Sequence, residues 1–237
     1  MTFVTQATSV GRRTGPRVLG LAIACALLAV VVAIPAASDA GRAMKLGHTK
    51  HTPRPQCPAK CSAIGSVTGF QLKADGRSGL FRMPVDGKIV AWSVRMSKPK
   101  PDQRDFFKST FHAKFHGDPS ARISVLKKVH KRRFKLTAQS RAVNLSGYYG
   151  NTPVITLKRP LGAKKGRIVA LTTPTWVPSF ALRKRAPGSA WKASRQKDAC
   201  GSNQSTHARP QQKVGSIRQY GCRFTDRLLY WAYYVRK

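Results

Sequence analysis

Residues 88–97 read KIVAWSVRMS. In an extended chain Val90, Trp92, Val94 and Met96 fall on one face, and Ile89, Ala91, Ser93 and Arg95 on the other. This period of two marks a half-buried β-strand rather than a helix. A large aromatic at its centre makes Trp92 a candidate core residue.

The same alternation recurs along the chain. Arg122–Lys128 carries Ile123 and Val125 inward, and Phe134–Ala138 carries Phe134, Leu136 and Ala138 inward. Pro153–Leu157 and Arg167–Thr173 follow. The C-terminal LLYWAYYVRK (228–237) is the strongest instance. It places Leu229, Trp231, Tyr233 and Val235 on one face and Leu228, Tyr230, Ala232 and Tyr234 on the other. Weaker candidates lie at Ser66–Lys73, Leu80–Met83 and Ser189–Ala193. Eight or nine short strands broken by Gly and Pro predict an all-β fold, an antiparallel β-sandwich of the jelly-roll kind. We expect it to occupy residues 57–237 as one domain.

One segment departs from that period. Pro99-Lys-Pro-Asp-Gln-Arg-Asp ends a strand and opens a helix over about 102–116. Asp102 is the expected cap, with Asp105 three residues on. Phe107, Phe111 and Phe115 recur every fourth residue as one apolar stripe. Gly117 and Pro119 end it. His112 and His116 share a side of this helix, and Asp118 follows, which is ligand-like spacing. Position 113 is Ala rather than the Glu of a metalloprotease helix, and Lys108 and Lys114 oppose a cation. We therefore read the pair as a polar helix flank and expect no metal.

Residues 1–40 read as a secretory signal peptide. Arg12, Arg13 and Arg17 precede an uncharged apolar run, Val18–Ile34, and Ser38-Asp39-Ala40 offers small residues for cleavage. A retained anchor is the alternative, because the run is at the short end of the roughly 17–25 residues that span a bilayer. Residues 41–56 form a flexible basic leader.

The chain holds 44 Lys and Arg against 8 Asp and no Glu, a formal charge of +36. Beyond residue 40 the balance is 41 to 7, or +34. Such a surface attracts polyanions, and its self-repulsion weakens the compact state. Four cysteines beyond the apolar run, Cys57, Cys61, Cys200 and Cys222, read as disulfides in an exported chain. Cys57–Cys61 and Cys200–Cys222 is the favoured pairing. A zinc site built from all four is the rival, but Cys200 and Cys222 lack close ligand spacing.

The most basic stretch is KKVHKRRFK, residues 127–135. It lies between two alternating strands, with Val129–Arg133 as the hairpin loop. Lys127, Lys128, Lys131, Arg132, Arg133 and Lys135 form a candidate polyanion-binding edge. Phe134 is needed for the core, so no platform for base stacking remains. Further charge at Lys158-Arg159, Lys164-Lys165 and Arg183-Lys184-Arg185 points to diffuse attraction rather than sequence reading.

Catalytic signatures are absent. There is no nucleophile elbow, no P-loop and no dinucleotide fingerprint. Asp75 and Asp86 sit beside Gly, as turn residues do. We expect no cofactor and no catalytic residues.

Gly87–Arg95, Ala121–Leu126, Phe134–Ser140 and Arg159–Leu171 together resemble exported β-sandwich proteins of high-GC actinobacteria. In those a Trp strand begins the sandwich and a Gly-Asp turn precedes a later apolar strand. Here Arg167 stands in the Asp place, so any role of that Asp does not transfer. The resemblance covers about residues 87–182 and implies a fold and an exported life, but no activity.

The expectation is thus a secreted or envelope-associated binding protein. Its partners would be anionic extracellular polymers: envelope glycopolymer, acidic polysaccharide or free DNA. Membrane contact would require the N-terminal run to be retained. The alternative is a secreted hydrolase assembled from scattered His and Asp, which a pocket gathering both would mark.

Overall fold

The computed structural model describes residues 42–57, 63–112, 115–200 and 211–237. The N-terminal segment expected to direct export, and Cys61, lie outside them. Among the described residues no helix is long and apolar enough to cross a membrane.

Among the described residues the chain is an all-β sandwich with one α-helix. Its elements are β1 (Met44–Leu46), β2 (Ile64–Ala74), β3 (Arg77–Ser78), β4 (Gly87–Val94), α1 (Pro101–Thr110), β5 (Ser120–His130), β6 (Arg133–Gln139), β7 (Val143–Asn144) and β8 (Val154–Ala163). They continue with β9 (Ile168–Val177), β10 (Phe180–Ala181), β11 (Ala190–Ala193), β12 (Ile217–Gln219), β13 (Cys222–Phe224), β14 (Arg227–Leu228) and β15 (Tyr230–Arg236). The strands outnumber the eight or nine expected because β1, β3, β7, β10, β12, β13 and β14 are two- or three-residue pairings without a readable period. Leu80–Met83 makes only a single bridge, Arg82 to Ile168.

One sheet has the order β1-β15-β4-β8. The larger runs β12-β6-β5-β9-β2-β11-β13, with β3 on β2 and β7 on β5. Every pairing is antiparallel. The main core lies between the sheets. Ile89, Trp92, Val94, Tyr230, Ala232 and Tyr234 meet Val67, Ile123, Val125, Val169, Leu171 and Trp191 there. Trp231, on the opposite side of β15, is buried instead with Ala181, Ala186 and Leu229.

The stretch 88–97 forms a strand as far as Val94, but its two faces do not alternate as the sequence reads. β15 pairs Tyr233 with Ala91 and Tyr234 with Ile89, so Val90 is an extra residue in β4. Such a bulge reverses parity. Ile89 therefore joins Trp92, Val94 and Met96 in the core, and Val90 is only half-buried.

The larger sheet curls on itself. Phe70 on β2 and Phe134 on β6 are separated by β9 and β5, about 14 Å in a flat sheet at roughly 4.8 Å per strand. Their ring centroids are 5.1 Å apart. The two ends of the strand order, β12 and β13, are joined by Tyr220 and Gly221 alone. Tyr220 N–H donates to Arg132 O at 2.8 Å on one side, and Gly221 N–H to Arg195 O at 2.7 Å on the other. A Cβ on Gly221 would stand 2.6 Å from Lys197 N, so only glycine passes here.

Curling creates a second core inside the sheet: Phe70, Leu126, Phe134, Leu136, Ile168, Ala170 and Tyr220. Ile123 and Val125 thus face the sandwich, while Phe134 and Leu136 face the interior of the curl. A register shift lets Ala138 pair with Val125 while Leu136 pairs with Leu126. The strands were expected to share one core; they serve two.

Buried hydroxyls fill the remainder of the curl. Thr172 Oγ1 lies 2.8 Å from both Thr68 Oγ1 and Ser124 Oγ, and Gln139 Nε2 donates to Ser124 Oγ at 3.1 Å. Gln212, fully buried, donates through Nε2 to Phe134 O and Ser216 O and accepts from the Tyr220 hydroxyl at 2.8 Å. Polar groups at this depth persist because each finds a partner.

The helix is shorter than expected. Lys100 is its cap, and Gln103 Oε1 accepts the Lys100 N–H at 2.9 Å. Asp102 lies in the first turn rather than at the cap, because Pro101 takes the first helical position. The helix stops at Thr110, and Phe115 and His116 adopt left-handed backbone. Gly117 follows at φ +76°, where a Cβ would meet Lys108 O. The Phe stripe is broken accordingly. Phe107 stacks on Trp176 at 4.5 Å and Phe111 lies over Gly65, but Phe115 is exposed.

Candidate functional site

The hairpin is tighter than its sequence suggests. β5 runs to His130 and β6 starts at Arg133, so only Lys131 and Arg132 form the turn, not Val129–Arg133. Directly paired residues of an antiparallel ladder share a face. Lys127 pairs with Lys135, and Lys128 pairs with Phe134. The basic residues are therefore divided. Lys127 and Lys135 take the outer face, and Lys128 takes the inner face with Phe134.

The inner face gathers further cations from strands remote in sequence. Lys192 on β11 is paired with Phe70 and, on its other side, with Arg223 on β13. Phe70 packs on Phe134, which stands opposite Lys128. Arg132 is held to the closing segment through Tyr220 N–H. Lys128, Arg132, Lys192 and Arg223 thus surround one opening of the curl, above the rings of Phe70, Phe134 and Tyr220. Those rings lie with centroids 4.9–5.5 Å apart.

The electrostatics match this geometry. Burial holds the Lys192 ammonium below the usual lysine range, and Arg132, Arg223 and Lys128 push it further down. Among the described residues, the charges that shift it are all positive. Lys192 sits in the strand Ala190–Ala193, whose other members are buried. It belongs to no charge run, so a sequence signal for it was lacking. Arg223 was likewise isolated. Only the curl brings the two to the hairpin.

Elsewhere, Leu157, Lys158, Arg159 and Pro160 stand out of the β4 ladder, where the register shifts from Thr156 to Leu161. They line a groove of about 650 Å³ with Val143, Ile155, Leu161, Gln139 and Arg141. Its floor is apolar and its rim positive.

The metal-like constellation is not assembled as the sequence suggests. His112 belongs to the turn after α1, with Nδ1 2.9 Å from Ser109 O, and His116 lies beyond the helix in left-handed backbone. Asp118 accepts from Asn144 at 3.0 Å and lies 3.9 Å from Lys108 Nζ. A depression beside it is lined by Arg104, Asp105, Lys108, Asp118, Tyr149 and Trp176. Burial, offset in part by Arg104, pushes the Tyr149 phenol up to about 12.

Cys200 and Cys222 form a disulfide, which takes both sulfurs away from any four-cysteine zinc site. Cys57 is also disulfide-bonded; its expected partner Cys61 lies outside the described residues. Asp75, read as a turn residue, also accepts from buried Arg227 at 3.0 Å. Arg227 further donates to Thr49 Oγ1 at 2.6 Å and His51 O at 3.1 Å, which ties part of the basic leader to the sandwich.

Compared with protein-family models, with curated proteins and with solved structures, the chain matches none of them.

Proposed function

We propose that this chain is an exported, strongly cationic binding protein that holds anionic polymers outside the cell. Envelope glycopolymer, acidic polysaccharide and free DNA share the required chemistry, a flexible chain with closely spaced negative charge. The observation that carries this reading is the basic hairpin joined by Lys192 and Arg223 from other strands, with Arg132, Arg223 and Lys128 all pressing positive charge on Lys192. The rim of Arg141, Lys158 and Arg159 adds a second basic surface. Export is inferred from the charged and apolar pattern of residues 1–40, from the disulfide, and from the resemblance to exported sandwiches.

Attraction of this kind is electrostatic and indifferent to base sequence, so affinity falls steeply with salt. The test is a polyanion screen at two salt concentrations, using heparin, duplex DNA of unrelated sequences and purified envelope glycopolymer. Binding to all three that weakens with salt is the expected result. Retention of none of them at low salt rejects the proposal.

A further inference from the structure

We infer that the basic opening of the curled sheet is a discrete subsite for a compact, doubly charged tetrahedral oxyanion, the terminal phosphate of a larger molecule. This deepens the polyanion reading and rests on it for the larger molecule.

Lys192 and Arg223 are opposite one another on neighbouring strands of the same face. Like charges so placed destabilise a sheet unless something compensates them. Folding then adds Lys128 and Arg132 to the pair, because the curl brings β5 and its hairpin to β11 and β13. This accumulation does not follow from composition, since Lys192 and Arg223 lie outside any basic run. The floor is apolar, made of Phe70, Phe134 and Tyr220. Beside an apolar wall the field of a charge is less screened, and clefts lined by one sign concentrate counter-ions.

The shape of the cluster favours one class of anion. A phosphodiester or carboxylate brings one charge, whereas a terminal phosphate carries about −1.5 to −2 near neutral pH on three acceptor oxygens. Two guanidinium forks and two ammonium groups match such acceptors through charge-assisted bonds. The outer cations Lys127 and Lys135 face away and are left to meet the remainder of a polymer.

The experiment follows lysine side-chain NMR resonances of the full chain while inorganic phosphate, sulfate, acetate or chloride is added at constant ionic strength. We expect phosphate or sulfate, but not acetate or chloride, to move the Lys192 signal saturably. Arg223→Gln, followed at Lys192, and Lys192→Met, followed at Lys128, should each weaken that binding by about tenfold, a difference of one decade in the dissociation constant. Heparin retention should change less than about twofold, because most of the polymer's counter-ion release occurs elsewhere. An oligonucleotide bearing a 5′-phosphate should compete with inorganic phosphate better than the same oligonucleotide without it. If the Lys192 signal follows ionic strength alone, or both variants bind phosphate as the wild type does, the subsite does not exist. Failure of heparin and DNA to bind the wild type would instead reject the polymer reading, whatever phosphate does.

Discussion

Lys192 and Arg223 face each other directly across β11 and β13, two positive side chains in a cross-strand pair. The fold retains this pair although it opposes stability.

That conflict gives a prediction with a definite sign. Burial and the neighbouring Arg132, Arg223 and Lys128 lower the Lys192 pKa in the folded protein. The unfolded chain then binds more protons in the window between that lowered value and about 10.4, so stability rises with pH through the window. Lys192→Met should raise the melting temperature at neutral pH and remove part of the alkaline rise. Melting curves from neutral pH to about pH 10.5 for both proteins decide it. A lower melting temperature at neutral pH with the same alkaline profile would show that Lys192 is not under repulsion.

The hairpin predicts a change of salt dependence. Neutralising Lys128, Lys131, Arg132 and Arg133 together should weaken heparin, DNA and glycopolymer binding alike. On duplex DNA each lost phosphate contact removes roughly 0.9 of a unit from the slope of log affinity against log salt. Titrations at several salt concentrations measure that slope. An unaltered slope in the quadruple variant would make the stretch a solvated turn.

The disulfide should be structural. Cys200 and Cys222 are 22 residues apart and sit beside the Tyr220–Gly221 closure. Closing a loop of that size stabilises by about 3 kcal/mol in the chain-entropy model. Replacing both by Ser should lower stability by about that amount in urea unfolding. Alkylation of unreduced protein, read by mass spectrometry, should label neither cysteine in the wild type.

Trp92 should matter for packing. It is wholly buried between the sheets, and its indole N–H has no partner among the described residues. Trp92→Ala should cost about 3–5 kcal/mol, the usual loss for a large core aromatic. Trp92→Phe should cost clearly less, since no hydrogen bond is lost with the indole. Denaturant midpoints of the two variants test this ranking, and equal losses would contradict it.

Asp75 supports a buried cation. Arg227 is 2% exposed and Asp75 is its only carboxylate partner among the described residues. Asp75→Ala should destabilise by about 1–3 kcal/mol, the range for leaving a buried group unsatisfied. A loss below about 0.5 kcal/mol, the usual range for a plain surface position, would return Asp75 to a turn role only.

Much of the fold was legible because strands are written in local alternation. Tyr230, Ala232 and Tyr234 share a buried face, and Ile123 and Val125 do so as well. What local alternation cannot encode is where parity breaks. The extra residue Val90 and the shift between Val125 and Leu126 depend on partner strands far away in sequence. That a helix opens after Pro99 was visible, but its cap is Lys100 rather than the expected Asp102. Its early end was not visible, because three evenly spaced Phe residues imitate one continuous stripe.

The site divides in the same way. The sequence alone determined the hairpin, its basic side chains and the all-β class, since each follows from neighbours or from composition, and it favoured the Cys200–Cys222 pairing that the structure contains. Only the tertiary structure decided that Lys128 and Arg132 turn inward, that Lys127 and Lys135 turn outward, and that Lys192 and Arg223 join the inward group. Those positions follow from the curl of a sheet whose outermost strands are linked by Tyr220 and Gly221. Curling is a long-range event, driven by burial of Phe70, Phe134 and Tyr220 against one another. It brings together charges as far apart in sequence as Lys128 and Arg223, 95 positions, and no local pattern records such a meeting.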